Sequence, residues 1–127
     1  MEPGNIIFLN GTSSAGKTLI AQTLQEIMDD CYIHTGIDHF LDRFPDRFSV
    51  RSDGINPPSN EGLLWIFPEN GDILTEIRIG PVGFRLWTGV YLAAAALARI
   101  GNNIIIDDVV FDSRVLQEAV NTLYLLN

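Results

Sequence analysis

An eight-residue segment near the N-terminus has the residue types and spacing of a phosphate-binding loop. Residues 11–18 read Gly-Thr-Ser-Ser-Ala-Gly-Lys-Thr and match the pattern G-x-x-x-x-G-K-S/T in full. In such a loop the glycines let successive backbone N–H groups turn toward phosphate oxygens, and the following helix adds its positive N-terminal end. The predicted nucleotide-binding residues are Gly11, Thr12, Ser13, Ser14, Ala15, Gly16, Lys17 and Thr18.

Two side chains of this loop, and one further along the chain, have chemistry of their own. Lys17 is the only lysine in the sequence, and the motif predicts that it reaches the β- and γ-phosphates of a bound nucleotide as a catalytic cation. The Thr18 hydroxyl is predicted to hold Mg²⁺, and Asp107, which ends an apolar run, is typical of the aspartate that completes such a metal site. Asp108 could share that role or cap the next loop or helix, and the residues alone leave both open.

Asp38 follows the second apolar segment, where an open α/β sheet binds its ligands. A carboxylate there can accept the proton of a substrate hydroxyl that attacks the γ-phosphate. The same position suits a helix N-cap before Phe40 and Leu41, and the position alone does not separate the two roles. His34 and His39 bracket Asp38, but no third ligand stands at zinc spacing, so no metal site is predicted there.

Apolar runs and helical periodicities alternate along the chain in a way that would position these residues. Alternating strands and helices indicate an α/β fold with a parallel sheet built from right-handed crossovers. The predicted core elements are a strand at Ile6–Leu9, a helix with its spaced apolar residues between Leu19 and Met28, a strand at Cys31–Ile37, a helix at Pro81–Ile100, a strand at Ile104–Asp108 and a helix from about Ser113 to the end.

The stretch between the second and third core strands has a different pattern. A short helical segment after Asp38 ends at Pro45, and residues 47–60 read as a loop. Residues 62–67 and 73–79 flank a turn-rich segment and predict a β-hairpin.

Several large or charged side chains in and after this stretch are candidates for substrate contacts. Arg78 and Arg85 are candidates to contact phosphate or substrate, with a solvated surface position as the alternative. The aromatic side chains are predicted to lie mostly in the core, with a subset lining an apolar acceptor pocket: Trp65, Phe67, Phe84, Trp87 and Tyr91.

Composition limits the class of protein and its partners. The chain has 127 residues, 46% of them hydrophobic, with a formal net charge of −8, which suits one domain and excludes wholesale disorder. The acidic balance argues against nucleic acid or an anionic membrane as the main partner. The longest apolar run is too short to span a membrane and no basic leader precedes it, so a cytoplasmic protein is expected. Cys31, the only cysteine, excludes an internal disulfide and is expected to be a small core residue.

Taken together, these segments resemble the chloramphenicol phosphotransferase-like proteins over essentially the whole chain. The segments that carry the resemblance are Asn10–Thr18, Gly36–Asp38, Ile79–Pro81, Ala98–Gly101 and Ile104–Val109. The resemblance implies a three-layer P-loop kinase fold and transfer of the γ-phosphate of ATP, with Mg²⁺, to a hydroxyl of a small molecule. In the namesake enzyme the acceptor is chloramphenicol, and phosphorylation inactivates that antibiotic. The resemblance also implies that Asp38 is the general base and that residues 39–80 form an insertion shaping the acceptor pocket.

Members of this family continue beyond the end of this chain, with further strands and an arginine-bearing lid. By that comparison, residues 1–127 are expected to be one truncated P-loop kinase-like domain that is inactive alone, with its first strand left as an exposed apolar edge. The alternative is a nucleotide-binding module without transferase activity, and a third possibility is a kinase with a nucleotide, sugar or macromolecular acceptor. A GTPase is disfavoured, because the guanine-reading motif needs a second lysine. The acceptor, the preferred base and the oligomeric state stay open.

Overall fold

The structure is a computed structural model that describes residues 2–11, 16–52, 61–67, 74, 76–109 and 113–124. The elements in chain order are β1 (Ile6–Asn10), α1 (Lys17–Ile27), β2 (Tyr32–Thr35), α2 (Ile37–Leu41), a 3-10 helix (Asp46–Phe48), β3 (Ser49–Ser52), β4 (Leu63–Ile66), β5 (Glu76–Ile79), α3 (Pro81–Arg99), β6 (Asn103–Asp108) and α4 (Ser113–Tyr124). The predicted alternation of strands and helices is confirmed. The prediction that α4 continues to the end of the chain concerns residues 125–127, which lie outside the described ranges.

The strands β1, β6 and β2 form a parallel sheet in that order, with the apolar β6 in the centre. Ile104, Ile105 and Ile106 are fully buried because helices cover both faces. Successive strand side chains point to opposite faces. Ile104 and Ile106 pack with side chains of α3 and α4, whereas Ile105 packs with Ala21 of α1. Among the described strands β1 pairs only with β6, and its apolar side chains are half-buried.

A second sheet lies in the segment between β2 and α3. Its order is β3-β4-β5, in which β3 runs parallel to β4 and β4 runs antiparallel to β5. Residues 68–72, where the turn of the hairpin is predicted, lie outside the described residues. The predicted loop over 47–60 is wrong at Ser49–Ser52, which form β3, and at the 3-10 helix before it. The Ser49 hydroxyl accepts a hydrogen bond from the Trp65 indole N–H at 2.9 Å. Serine often occurs in turns, but here its side chain connects β3 to β4.

The long helix α3 supplies much of the core. Pro81 stands in its first turn, where the missing N–H has no partner to lose, and Gly101, with φ +109°, follows its last turn. Within the described ranges α3 is the one helix long and apolar enough to cross a membrane, judged by length and composition alone. In this fold one of its faces is in the core, with Trp87 and Tyr91 fully buried.

Cys31 does not behave as predicted. It is exposed, in the short connection between α1 and β2, and the expectation of a core residue is wrong. The reason is that β2 begins one residue later, so that Tyr32 takes the buried position instead.

Candidate functional site

The parallel sheet brings the ends of three strands to one edge. In β1 and β6 the paired residues Leu9 and Asp107 stand side by side there, and β2 ends next to them. After β1, the Gly11 N–H donates to the Asp108 carbonyl oxygen at 3.3 Å, which ties the entry of the loop to the end of β6. Residues 12–15, the middle of the predicted phosphate-binding loop, lie outside the described part of the chain.

The loop ends in a helix start that suits anion binding. Gly16 has φ +76°, a left-handed conformation that glycine adopts without the steric cost other residues incur. Helix α1 then begins at Lys17, and the Ile20 N–H donates to the Gly16 carbonyl oxygen at 3.0 Å. This places Lys17 and Thr18 in the first turn of α1, at the positive end of the helix dipole.

Asp107 gathers three side chains at the sheet edge. The Thr18 hydroxyl donates to Asp107 Oδ2 at 2.9 Å, and Lys17 Nζ lies 3.7 Å from Asp107 Oδ1. His34 Nε2 lies 3.1 Å from Asp107 Oδ2. The structure thus brings together Lys17, Thr18 and Asp107, the three residues predicted for phosphate and metal.

His34 is a residue that the sequence reasoning missed. Only a zinc role was considered for it, and among the described residues no group of three or more His, Cys, Asp or Glu could hold a metal ion. Its ring instead contacts Asp107 and lies edge-on to His39, with 4.9 Å between the ring centres. The missing signal was strand order, because β2 lies beside β6 and the sequence alone does not give that pairing.

Asp108 points the opposite way, into the core. Its side chain is almost fully buried, and Asp108 Oδ1 accepts the Ile37 N–H at 2.9 Å. Asp108 Oδ2 accepts the Tyr91 O–H at 2.7 Å and the Trp87 indole N–H at 3.1 Å. Burial raises the pKa of Asp108, and these three hydrogen bonds oppose that rise. Burial, then the adjacent Asp108 carboxylate, raises the pKa of Tyr91 above its ordinary value. The sequence left open whether Asp108 shares the metal role or caps an element. In the structure it has a capping role, but it caps the start of α2 and not the loop or helix that follows β6.

Asp38 lies in the first turn of α2, whose N-cap is Gly36. The alternative of Asp38 as the N-cap is therefore wrong. The Asp38 side chain stays accessible to solvent and faces the cavity beside Lys17 and Asp107. Partial burial is the main cause that raises its pKa, and the Asp107 carboxylate adds to the rise. The charges of Lys17 and His39 act in the opposite direction.

One cavity of about 180 Å³ adjoins all of these polar groups. The polar side chains that line it are Lys17, Thr18, Asp38 and Asp107. Its apolar side chains, called here the apolar wall, are Ile37, Trp65, Phe67, Leu74 and Val109. The aromatic part of that wall comes from β4 and the residue after it. The Arg51 guanidinium lies 3.7 Å from the centre of the Phe67 ring, a cation–π contact that helps to hold this side chain in place.

The remaining candidates lie elsewhere. Trp87 and Tyr91 are buried with Asp108, and Phe84 lies at a separate surface groove. Arg78 is exposed and pairs with Glu76 at 3.0 Å, and Arg85 is on the exposed face of α3. Of the described residues, Lys17 is the one cation that lines the cavity.

The oxygen atoms of Thr18 and Asp107 fit a magnesium site. Mg²⁺ binds hydroxyl, carboxylate, water and phosphate oxygens and commonly takes only one or two carboxylates from the protein. The 2.9 Å hydrogen bond between Thr18 Oγ1 and Asp107 Oδ2 shows that two such donors already converge at the cavity. A sparse donor set of this kind suits a metal that shares its coordination with a nucleotide.

Comparison with known proteins shows the family of this chain. The family model described as chloramphenicol phosphotransferase-like protein matches residues 4–126. Two curated proteins of Mycobacterium tuberculosis, "Putative O-phosphotransferase Rv2636" from strain H37Rv and "Putative O-phosphotransferase MT2714" from strain CDC 1551, are each 32% identical over 126 residues. The alignments cover 94% of this chain and 52% of each relative, so the chain spans about half the length of these relatives. The chain belongs to the chloramphenicol phosphotransferase-like family.

Proposed function

We propose that this chain forms the nucleotide-binding and acceptor-binding part of an ATP-dependent phosphotransferase whose acceptor is a hydroxyl of a small molecule. One observation carries the proposal: Asp38 shares a single cavity with Lys17, Thr18 and Asp107. A carboxylate beside a phosphate-binding cation is the arrangement that phosphoryl transfer to an alcohol requires. Family membership and the names of the curated relatives support the same class of reaction.

In this mechanism Asp38 is the general base. As the acceptor oxygen forms its bond to the γ-phosphorus, the hydroxyl proton passes to the Asp38 carboxylate. The bond between the γ-phosphorus and the bridging oxygen breaks, and ADP leaves with that oxygen. The raised pKa of Asp38 makes its carboxylate a stronger base than that of an ordinary aspartate.

The other polar groups of the cavity bind and neutralise phosphate. Lys17 reaches the β- and γ-phosphates, and the backbone of residues 11–16 holds the phosphate chain. Thr18 and Asp107 would hold Mg²⁺, which supplies further neutralisation of the charge on the transferring group. Asp107 also keeps Lys17 near the cavity through their 3.7 Å contact.

The apolar wall indicates the kind of acceptor. Trp65, Phe67 and Leu74 line the same cavity as the polar groups, so an acceptor with an apolar or aromatic part next to its hydroxyl fits. Residues 39–80 therefore act as the acceptor-pocket insertion of one domain covering residues 1–127. On this ground chloramphenicol belongs in a panel of test acceptors. A small-molecule kinase that draws on cellular ATP would be cytoplasmic.

This chain alone would transfer phosphate slowly or not at all. Charge on a transferring phosphoryl group is normally met by several cations. Lys17 is the one cation among the described residues that lines the cavity. The longer relatives have room for further cationic groups, since the chain matches only 52% of their length.

The test separates nucleotide binding from transfer. In a version of the protein extended to the length of its relatives, we expect Asp38→Asn to lower acceptor-dependent ADP release by about 10²- to 10⁴-fold, the usual contribution of a general base. The dissociation constant for Mg-ATP, measured by calorimetry, is expected to stay the same. Asp42→Asn is the matched control, because Asp42 is an exposed aspartate at the other end of α2. An equal loss of nucleotide binding in Asp38→Asn would contradict the base role, and binding without any acceptor-dependent release would favour a nucleotide-binding module.

A further inference from the structure

Asp108 is a buried carboxylate that the proposed chemistry does not use. It lies beside Asp107 in sequence but on the opposite face of β6, and only 1% of its surface is exposed. Burying a carboxylate is costly unless hydrogen bonds compensate it. Three donors from two separate helices converge on it, the Ile37 N–H from α2 and the side chains of Trp87 and Tyr91 from α3. Such convergence indicates a purpose beyond packing.

Two of the three donors connect Asp108 to the surroundings of the cavity, and the third supports one of these two. The Ile37 N–H belongs to the first residue of α2, immediately before Asp38. Trp87 Nε1 bonds both Asp108 Oδ2 and the Tyr91 hydroxyl, at 3.1 and 3.0 Å, so the two aromatic side chains hold the carboxylate as a pair. The Trp87 ring lies 6.3 Å from the ring of Trp65, a wall residue of the cavity.

Helix α2 needs such an anchor because it has few of its own. It spans only Ile37–Leu41, and its N-cap residue Gly36 has no side chain to accept the first N–H groups. The Asp108 carboxylate supplies that acceptor from a strand 71 positions further along the chain. Gly36 lies close to the end of the same strand, since a Cβ on it would collide with the Asp107 carbonyl oxygen.

We infer that Asp108, held by Trp87 and Tyr91, is a positioning residue that fixes the start of α2 and with it the place of Asp38 in the cavity. This inference rests on the proposed function, because it gives Asp108 its purpose through the general base. The rigid link runs from the core face of β6 through one hydrogen bond to the residue before Asp38. Asp108 itself touches neither phosphate nor acceptor.

The test compares amide hydrogen exchange in four variants of the chain. We expect Asp108→Ala to speed exchange at the Ile37 amide by about 10- to 100-fold relative to the Ile105 amide in the core strand, because the Ile37 N–H loses its hydrogen-bond acceptor. Asp108→Asn keeps an oxygen that can accept the Ile37 N–H, so it should restore slow exchange. Tyr91→Phe removes one donor and is expected to have a smaller effect of the same kind. Thr88→Val is the matched control, since it also removes one hydroxyl from α3, and that hydroxyl is buried with no partner among the described residues.

Two measurements then decide the inference separately from the proposed function. If exchange at Ile37 and Ile105 rises equally in Asp108→Ala and Tyr91→Phe, the carboxylate only stabilises the fold and the inference is overturned. If Ile37 alone is released, transfer is measured next in a version of the protein extended to the length of its relatives: a fall in kcat with an unchanged Mg-ATP dissociation constant supports positioning, and an unchanged kcat overturns it. Absence of transfer in the extended protein without substitutions contradicts the proposed function, and the positioning role falls with it even where the exchange result shows that Asp108 holds the start of α2.

Discussion

At the scale of single residues, Asp107 and Asp108 are sequence neighbours with opposite surroundings. Successive side chains of a strand point to opposite faces, so Asp107 meets Lys17 and Thr18 on one face while Asp108 enters the core on the other. The alternation of Ile104, Ile105 and Ile106 continues unbroken into this pair. Period-two reasoning could therefore have separated the two aspartates from sequence, but the helix on each face could not be known in advance.

The metal site is testable by binding alone. Thr18→Ala and Asp107→Asn are each expected to weaken Mg-ATP binding by at least about tenfold, since the first removes an oxygen donor of the proposed Mg²⁺ site and the second removes its carboxylate charge. Binding of ATP in excess EDTA should change far less. Thr23→Ala is the control, because Thr23 is an exposed threonine on the same helix. Equal weakening with and without Mg²⁺ would contradict a metal role and favour direct contact with phosphate.

The titration of Asp38 is the second prediction at this scale. In the nucleotide-free protein the pKa of its carboxyl, followed by carbon NMR, should lie above that of an ordinary aspartate, chiefly because of partial burial. Lys17→Gln should raise that pKa further, because the Lys17 charge lowers it. A lower pKa in Lys17→Gln would show that the two side chains do not share the cavity.

The same shift has a consequence for stability, with a definite sign. A carboxyl whose pKa is raised on folding binds its proton more tightly in the folded state, so its stabilising effect is present at low pH and fades as the pH rises through the raised value. Asp38→Asn, which never ionises, should therefore unfold at the same temperature as the unaltered protein or a higher one at neutral pH. A clear loss of thermal stability in Asp38→Asn would mean that Asp38 has a structural role.

At the scale of elements, periodicity identified the helices better than it identified their buried faces. The apolar pattern correctly predicted α1, yet Leu19, Ile20 and Ile27 are exposed and the small Ala21 is the buried residue that packs with Ile105 of the sheet. Short polar β3 escaped prediction because its pairing with β4 is decided by tertiary contact and not by local preference. The strands β1 and β6 were predictable because each contains a compact apolar run. The predicted strand at Cys31–Ile37 was too long, since β2 covers only Tyr32–Thr35 and Ile37 begins α2.

Two glycines provide a matched test of how tightly α2 meets the sheet. Gly36→Ala would put a Cβ against the Asp107 carbonyl oxygen, and we expect it to destabilise the fold by about 1–3 kcal/mol in urea unfolding, as overpacking does. Gly89 lies inside α3, where a Cβ would have no neighbouring atom within 4 Å among the described residues. Gly89→Ala should therefore stabilise the fold by up to about 1 kcal/mol. Equal effects of the two changes would contradict the close approach of α2 to β6.

At the scale of the whole molecule, two sheets divide the work of one cavity. The parallel sheet holds the groups that suit phosphate and metal, and the smaller sheet contributes the aromatic wall. The motif at residues 11–18 predicted Lys17 and Thr18 because its spacing is local. The sequence could not predict which aromatic side chains line the cavity. That Trp65 lines it while Trp87 is buried in the core depends on how the tertiary fold packs their elements. The separation suits an enzyme whose phosphate donor is constant and whose acceptor is set by the inserted segment.

The most direct test of the central claim is the transfer of labelled γ-phosphate from ATP to a panel of hydroxylated small molecules, including chloramphenicol. It would be measured in this chain and in a version extended to the length of the relatives, each with and without Asp38→Asn. We expect a phosphate monoester from the extended protein, formed with an acceptor that has an apolar part, and its loss in Asp38→Asn with Mg-ATP binding intact. Tight Mg-ATP binding with no labelled product from any acceptor, or full transfer by Asp38→Asn, would contradict the claim.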